Sequence, residues 1–321
     1  MLSYTVVIPL FNKEKYVPKA ITSLAFQSKK PKEIIIVDDA STDASLMVAK
    51  KCFLTYQAAF AKTKIKFIVL KINSGPGNAR NRGMEEATGD LISFLDADDY
   101  YEKEFIATAA HYMHEKQIHF LVAGIKLHPS GINYPETKKI KKHLRPVNNE
   151  LYLLYNPLFA VSSPYFFMGR GSNVVVFRKY IGAHRYETDS LLNEGVDFWY
   201  RVLKSVVENK MAKIGFLTGS YIRVTEVQGS LSRKKYNHWN ELKVPPTVSR
   251  YVKSTNEFDL QLAGMLSLRW FRHAMNNLST VKHKVVFVYK HKKIWQRALL
   301  CKLKRNFIKK DILKDTNLIF F

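Results

Sequence analysis

Cysteine is nearly absent: the 321-residue chain has two, Cys52 and Cys301. Two cysteines build no disulfide framework, so a reducing compartment is the simpler expectation. No stretch reaches the roughly 18 uncharged apolar residues that a membrane-spanning helix needs. The opening Met1-Leu2-Ser3-Tyr4 runs straight into a strand-like segment, without the basic and apolar regions of a secretory signal. The expectation is a soluble protein, cytoplasmic, or one attached to the inner face of the cell membrane without crossing it. Internal repeats and low-complexity tracts are also missing. Hydrophobic residues make up 46% of the chain, which excludes a disordered protein and allows a sizeable core.

Acidic residues are scarce beside basic ones, 27 against 51, for a net charge of +24. The imbalance is uneven. Residues 1–100 hold 14 Lys and Arg against 11 Asp and Glu, net +3, whereas residues 226–321 hold 20 against 6, net +14. A basic tail behind a near-neutral front implies an anionic partner for the tail: phospholipid, a phosphate-bearing acceptor or nucleic acid.

The first hundred residues alternate between two periods. Tyr4–Pro9, Glu33–Val37, Ile65–Leu70 and Asp90–Leu95 read as strands, the first two as β-branched runs buried on both faces. Between them Lys13–Ser28, Thr42–Lys62 and Gly77–Thr88 carry helical spacing. Such alternation predicts right-handed βαβ units and an open, mostly parallel α/β sheet that binds ligands beyond the carboxyl ends of its strands. Further on, Glu102–Lys116 reads as helix, His119–Ile125 and Asn173–Phe177 as strands, Asp197–Val207 as helix, and Ile214–Leu217 with Ser220–Val224 as two short strands. Residues 128–150 are polar and Lys-rich, and without an apolar period they predict a mobile loop.

Acidic clusters close two of the strands. Asp96, Asp98 and Asp99 follow the fourth, and alternate carboxylates there can turn toward one point and hold a hard cation such as Mg²⁺ or Mn²⁺, shared with substrate phosphates. The same residues would also cap the helix that follows. Asp38 and Asp39 end the second strand, where a carboxylate can accept from a nucleobase N–H or a ribose hydroxyl; Ser41, Thr42 or Asp43 can meanwhile cap the next helix. Gly75-Pro76-Gly77 makes a sharp turn into a helix, and Arg80 and Arg82 on it are cationic forks suited to phosphate.

Pro9-Leu10-Phe11-Asn12, Val37-Asp38-Asp39-Ala40-Ser41-Thr42-Asp43, Asn73-x-Gly75 with Ala79-Arg80-Asn81-x-Gly83, and Phe94-Leu95-Asp96-Ala97-Asp98-Asp99 occur in that order. Together they closely resemble the family 2 inverting glycosyltransferases, which have the GT-A nucleotide-diphospho-sugar fold, and the match is dense over about the first hundred residues. The resemblance implies a nucleotide-sugar donor, most commonly a UDP-sugar. Pro9, Phe11, Asn12, Asp38 and Asp39 would line the nucleotide pocket, and Asp96 and Asp98 (the DXD pair) would hold Mn²⁺ or Mg²⁺; Arg80 or Arg82, as cationic forks, would steady the diphosphate. It also implies inversion at the anomeric carbon, with a base that deprotonates the acceptor hydroxyl. The family's Glu-Asp pair corresponds to Glu194-Gly195-Val196-Asp197, which makes Asp197 the expected base, with Glu194 standing in for the usual glutamate. Arg223, Ser230 and Ser232 are kept from a further motif whose histidine is missing, and Glu226 is the candidate replacement as a metal contact. Val196 and the missing histidine motivate a rival expectation, a nucleotide-sugar-binding scaffold without catalysis.

The expected organisation is a GT-A domain over 1–225, with 1–100 as nucleotide-binding half and 101–225 as acceptor half, followed by a basic, mostly helical region over 226–321. In that tail Trp295, Leu299, Leu303 and Phe307 recur every fourth residue among many lysines. The stripe reads either as an interfacial membrane helix on an anionic surface or as a face packed on the core. Met265, Leu266, Trp270 and Phe271 read as packing. The expected acceptor is a glycan or a lipid-linked sugar in cell-surface polysaccharide synthesis. No nucleic-acid partner is expected, since no nucleic-acid module is recognisable and Asp96, Asp98, Asp99 and Glu102 would repel a phosphate backbone in the absence of metal.

Overall fold

The computed structural model describes residues 2–163, 168, 172–188, 193–227, 235–301 and 303. The chain forms two compact units. One comprises residues 1–161, 165–191 and 195–228, and the other residues 162–164, 192–194 and 229–321.

In the first unit the strands are β1 (Tyr4–Leu10), β2 (Glu33–Asp38), β3 (Lys64–Val69) and β4 (Leu91–Phe94), linked by helices α1 (Val17–Ala25), α2 (Ser45–Thr55) and α3 (Pro76–Glu86). All four strands run parallel in the order β3-β2-β1-β4. Every residue of β1, β2 and β4 is buried, as expected for strands covered on both faces. Each fully buried Val, Leu or Ile of these strands contributes about 1.5–3 kcal/mol. Strand β3 lies at the edge, and its Lys-Ile-Lys-Phe alternation leaves it half-exposed. Helix α3 lies so close to β1 that a Cβ on Gly83 would stand 2.2 Å from Val7 Cγ1. That approach fixes the height of the residues α3 presents at the strand ends.

Beyond β4 come β5 (Tyr100–Tyr101), α4 (Phe105–Glu115), β6 (Ile118–His128), β7 (Asn133–Tyr134), α5 (Thr137–Ile140), β8 (Leu144–Pro146), β9 (Leu151–Leu154), α6 (Pro157–Val161), β10 (Val174–Phe177), α7 (Glu194–Glu208) and β11 (Lys213–Thr225). Antiparallel β10 joins β4 to β6, and β11 runs parallel to β6. Among the described residues the path is β3-β2-β1-β4-β10-β6-β11-β9-β8, with β5 on β11 and β7 on β6. The expected α/β class and mostly parallel sheet are the observed ones, with antiparallel strands added in the later half.

Two expectations change in detail. The pair of short strands at 214–224 is one strand, β11, with a register shift between Leu217 and Ile222. Residues 128–150 are ordered into β7, α5 and β8. Ile140 and His143 are buried there, so a few single anchors replace the period that was missing. The peptide bonds before Pro129 and Pro135 are cis.

The second unit contains α8 (Pro246–Tyr251), α9 (Glu257–Asn277) and α10 (Val281–Lys290), followed by helical residues 292–301. Asn256 caps α9, accepting from Phe258 and Asp259 N–H, and Thr280 caps α10, accepting from His283 N–H, which satisfies amides left open at a helix start. Leu266 and Trp270 are buried as packing residues, and Phe271 packs against their cluster. Burial changes along the tail stripe. Trp295 is 9% exposed and packs on Trp270 at 5.3 Å between ring centroids, whereas Leu299 and Leu303 are more than half exposed. Phe307, Ser230 and Ser232 lie outside the described residues. Among the described residues no helix is long and apolar enough to cross a membrane.

Candidate active site

The parallel register sets Leu10 beside Asp38 and Val7 beside Phe94, so the segments leaving β1, β2 and β4 start side by side. Pro9 is buried in β1 opposite Val37, and Phe11 is 39% exposed just beyond it. Asn12 takes a positive φ of 49° and binds the next loop from both ends of its amide. Its Oδ1 accepts from Thr42 N–H at 2.8 Å, and its Nδ2 donates to Thr42 Oγ1 at 3.1 Å. Its own N–H donates to Ser41 Oγ at 3.2 Å. The 11–14 and 41–45 loops are thereby held as one wall.

Asp38 and Asp39 are both buried, 3% and 2% exposed, but they differ in state. Asp39 is fully engaged, accepting from Ser74 N–H at 3.0 Å and Gly75 N–H at 2.8 Å. Gly75 sits at φ +88°, a conformation other residues avoid, and Asp39 holds that turn at the head of α3. Burial raises the Asp39 pKa above the ordinary carboxylate value, with the Asp38 charge adding to it and the two amides opposing. Asp38 accepts only weakly, from Ser41 N–H at 3.3 Å, and its Oδ1 is buried with no hydrogen-bond partner among the described residues. An unsatisfied buried carboxylate oxygen is costly, and a donor from a ligand would relieve it.

At the end of β4 the three aspartates point in different directions. Asp96 pairs with Arg80 on α3 at 2.7 Å, and Asp98 pairs with Lys13 Nζ at 2.6 Å. Asp99 faces the interior, accepting from Ser172 Oγ at 2.9 Å and Thr225 N–H at 3.0 Å. Burial, then the charges of Asp96 and Asp98, push its pKa well up. The Ser172 hydroxyl also accepts from Asp96 N–H at 3.0 Å, so one serine ties two residues of the turn. Asp99 is therefore a brace from β4 to the end of β11.

The expected second phosphate ligand is elsewhere: Arg82 is exposed and pairs with Glu85 on its own helix. Arg80 is 7% exposed and lies over the Tyr186 ring, 5.2 Å from its centroid. Asn81 locks the Tyr186 backbone, donating to its carbonyl at 3.0 Å and accepting from its N–H at 2.8 Å. The Tyr186 ring stacks on Phe198 of α7 at 4.1 Å. Asp197 belongs to the same assembly. It has no exposed surface, and its Oδ2 accepts from Arg201 Nε at 2.8 Å, while Arg201 Nη2 donates to the Arg185 carbonyl. Arg201 thus holds the Asp197 carboxylate at the first turn of α7. Glu226, expected as a metal contact, accepts from Ser130 N–H at 2.9 Å and braces the turn after His128.

Lys13 and Tyr186 went unnoticed in the sequence. Lys13 adjoins Asn12, and a cation next to a nucleotide-pocket motif was an available signal. Tyr186 stands in a segment without periodicity and gave none.

Asp96 and Asp98 are two hard carboxylates at one strand end, the donor type that Mg²⁺ and Mn²⁺ take. Among the described residues no three His, Cys, Asp or Glu side chains converge on one point. The pair makes no all-protein cage; a cation there would draw the rest of its shell from a bound diphosphate and water.

Similar proteins share both the sequence and the fold. The chain is 31% identical over 161 residues to the poly(ribitol-phosphate) β-N-acetylglucosaminyltransferase TarS of Staphylococcus aureus, a stretch covering 49% of this chain and 27% of that protein. It is 36% identical over 103 residues to the amylovoran biosynthesis glycosyltransferase AmsB of Erwinia amylovora, covering 32% and 33%. The matches thus span about a third or less of these relatives. The crystal structure of S. aureus TarS 1–349 superposes with a TM-score of 0.66 at 19% identity, over 92% of this chain and 81% of that one. Its complex with UDP-GlcNAc gives 0.61 at 20%, over 93% and 80%. These structures share the GT-A fold described above. The family model named "Glycosyl transferase family 2" matches residues 5–174, about half the chain and all four strands of the parallel half, and to that family the chain belongs.

Proposed function

We propose that the protein transfers a sugar from a nucleotide-diphospho-sugar, a UDP-sugar, to a hydroxyl of a glycan or lipid-linked acceptor in cell-surface polysaccharide synthesis, with inversion at the anomeric carbon. One observation carries the donor half of this reading: the buried Asp38 Oδ1 with no hydrogen-bond partner, at the carboxyl end of β2. A nucleobase N–H is the donor that such an oxygen lacks. Pro9, Phe11 and Asn12 form the adjoining wall, and Asp39 keeps the Ser74–Gly75 turn in place.

The diphosphate belongs at Asp96, Asp98, Arg80 and Lys13. Asp96 and Asp98 would hold Mn²⁺ or Mg²⁺, which neutralises charge on a leaving diphosphate. Arg80, fixed by Asp96 and Tyr186, presents its guanidinium without reorganisation, the condition under which a cation is most effective. Asp197, at the first turn of α7 and held there by Arg201, would take up the acceptor proton. The reading is supported by the Staphylococcus relative, whose name states N-acetylglucosaminyl transfer, and by the structure of that protein with UDP-GlcNAc.

The test is a thermal-shift panel of UDP-, GDP- and dTDP-sugars with and without Mn²⁺. A UDP-sugar at about 100 times its Kd should stabilise by about 2.7 kcal/mol, and Asp38→Asn should remove the selectivity for uridine. If no nucleotide sugar shifts the melting curve, the donor assignment fails.

A further inference from the structure

Among the described residues, the second unit has a surface that its own packing leaves unused. Helix α10 turns Phe287 inward, fully buried and 4.8 Å from Trp270 between ring centroids. A separate row of the same helix carries Val281, Val285 and Tyr289, four residues apart and 75%, 62% and 66% exposed. The following helical residues repeat the division. Trp295 and Ala298 are buried, whereas Leu299 and Leu300 are 54% and 57% exposed. Residues on one helix at four-residue spacing share a face, so Val281, Val285 and Tyr289 form a row.

Charge accompanies these exposed residues. Residues 281–303 contain seven Lys and Arg and no Asp or Glu. Lys282 and Lys290 adjoin the exposed apolar positions, and Lys292 Nζ lies 4.8 Å from the Tyr289 ring centroid. Each potential occupant would use different parts of this surface. A nucleic acid engages the cations and leaves the valines and leucines in water. A protein partner would have to supply a broad surface both acidic and apolar. An anionic bilayer engages both at once, with cations at the phosphates and apolar side chains at the headgroup–acyl boundary.

We propose that α10 and the helical residues after it seat the protein on an anionic lipid bilayer, with Val281, Val285, Tyr289, Leu299 and Leu300 entering the interface. The proposal is independent of the donor reading, because none of these residues belongs to the first unit.

The experiment is flotation of the full chain with vesicles of phosphatidylcholine alone and with about 30% phosphatidylglycerol, an anionic lipid of the kind that attracts polybasic segments. Binding is expected on the anionic vesicles only, with a fraction persisting at about 0.5 M salt, where charge attraction alone is screened. Val285→Ser with Tyr289→Ser, and separately Lys282→Gln with Lys290→Gln and Lys292→Gln, should each lower the partition coefficient at least about tenfold. The replaced side chains are all exposed, so unchanged melting and UDP binding in both variants separate loss of docking from loss of fold or of the donor site. Absence of vesicle binding, binding unaffected by the serine variant, or tighter binding to duplex DNA than to vesicles would each overturn the proposal.

Discussion

The two units handle polar groups in opposite ways. In the first, carboxylates at strand ends and on α7 are held by named partners, most of them buried: Asp39 by two amides, Asp96 by Arg80, Asp99 by Ser172 and Thr225, Asp197 by Arg201. In the second, the buried cluster is Trp270, Phe287 and Trp295 with their neighbours, its acidic side chains sit at helix starts, and its lysines face outward. Buried, oriented carboxylates are costly to maintain and are kept where chemistry needs fixed charge. An aromatic core with a charged exterior makes a surface. The contrast accords with the chemistry proposed for the first unit and the attachment proposed for the second.

The largest effect that would sharpen this contrast lies at the first turn of α7. Loss of a catalytic base typically costs about 10²–10⁴ in rate. Asp197→Asn is expected to lose turnover by that order with donor affinity unchanged. It should also lower stability by about 3 kcal/mol, because it leaves a partly buried Arg201 without its carboxylate. Thermal melts, donor titration and kcat on the folded variant decide it. If the folded variant keeps its turnover, Asp197 only braces Arg201 and is not the base.

These outcomes bear on what the sequence makes legible. β1, β2 and β4 could be read because strands buried on both faces are short continuous apolar runs, and the aspartates at their ends follow from the fold rule for open parallel sheets. Side-chain state could not be read that way. Asp38 and Asp39 are neighbours of identical type, yet only Asp39 has its oxygens filled, by a turn 35 residues away. Residues 128–150 escaped because their order rests on single anchors such as Ile140 and His143, which no periodicity marks. For Asp197 a signal was present. Arg201 lies four residues on, the spacing of a helical ion pair, and Phe198, Trp199 and Tyr200 beside it announce a buried turn.

An intermediate effect tests the acidic turn. Lys13 neutralises Asp98 through a pair whose side chains are 28% and 21% exposed, so it competes with any divalent cation for that carboxylate. A pair of this exposure contributes about 1 kcal/mol, a factor of about five in affinity. Lys13→Met should therefore tighten Mn²⁺ binding to the nucleotide-free protein about fivefold, measured by Mn²⁺ titration, while weakening UDP binding measured without metal. Unchanged Mn²⁺ affinity would place Lys13 outside the cation's reach.

The smallest effect separates the units by pH. Burial lowers the pKa of His273, and burial among aromatic rings lowers that of His291 against the opposing contact with the Phe287 carbonyl. A histidine depressed in the fold takes its proton more readily when the chain unfolds. Its contribution to stability is complete above the ordinary value of 6.5 and declines as pH falls below it. His119 of β6 is lowered likewise by burial and the charges of Lys179 and Lys213, but the second unit holds two such histidines, so acidification from neutral pH should loosen it more, seen as faster amide exchange over α9 and α10 and a melting shift of only a few degrees. His291→Phe keeps an aromatic ring against Trp270 and removes one titrating group, so it should flatten that pH dependence. If exchange below pH 6.5 rises equally over β1 and β2, the acid sensitivity belongs to the carboxylates of the first unit and not to the buried histidines of the second.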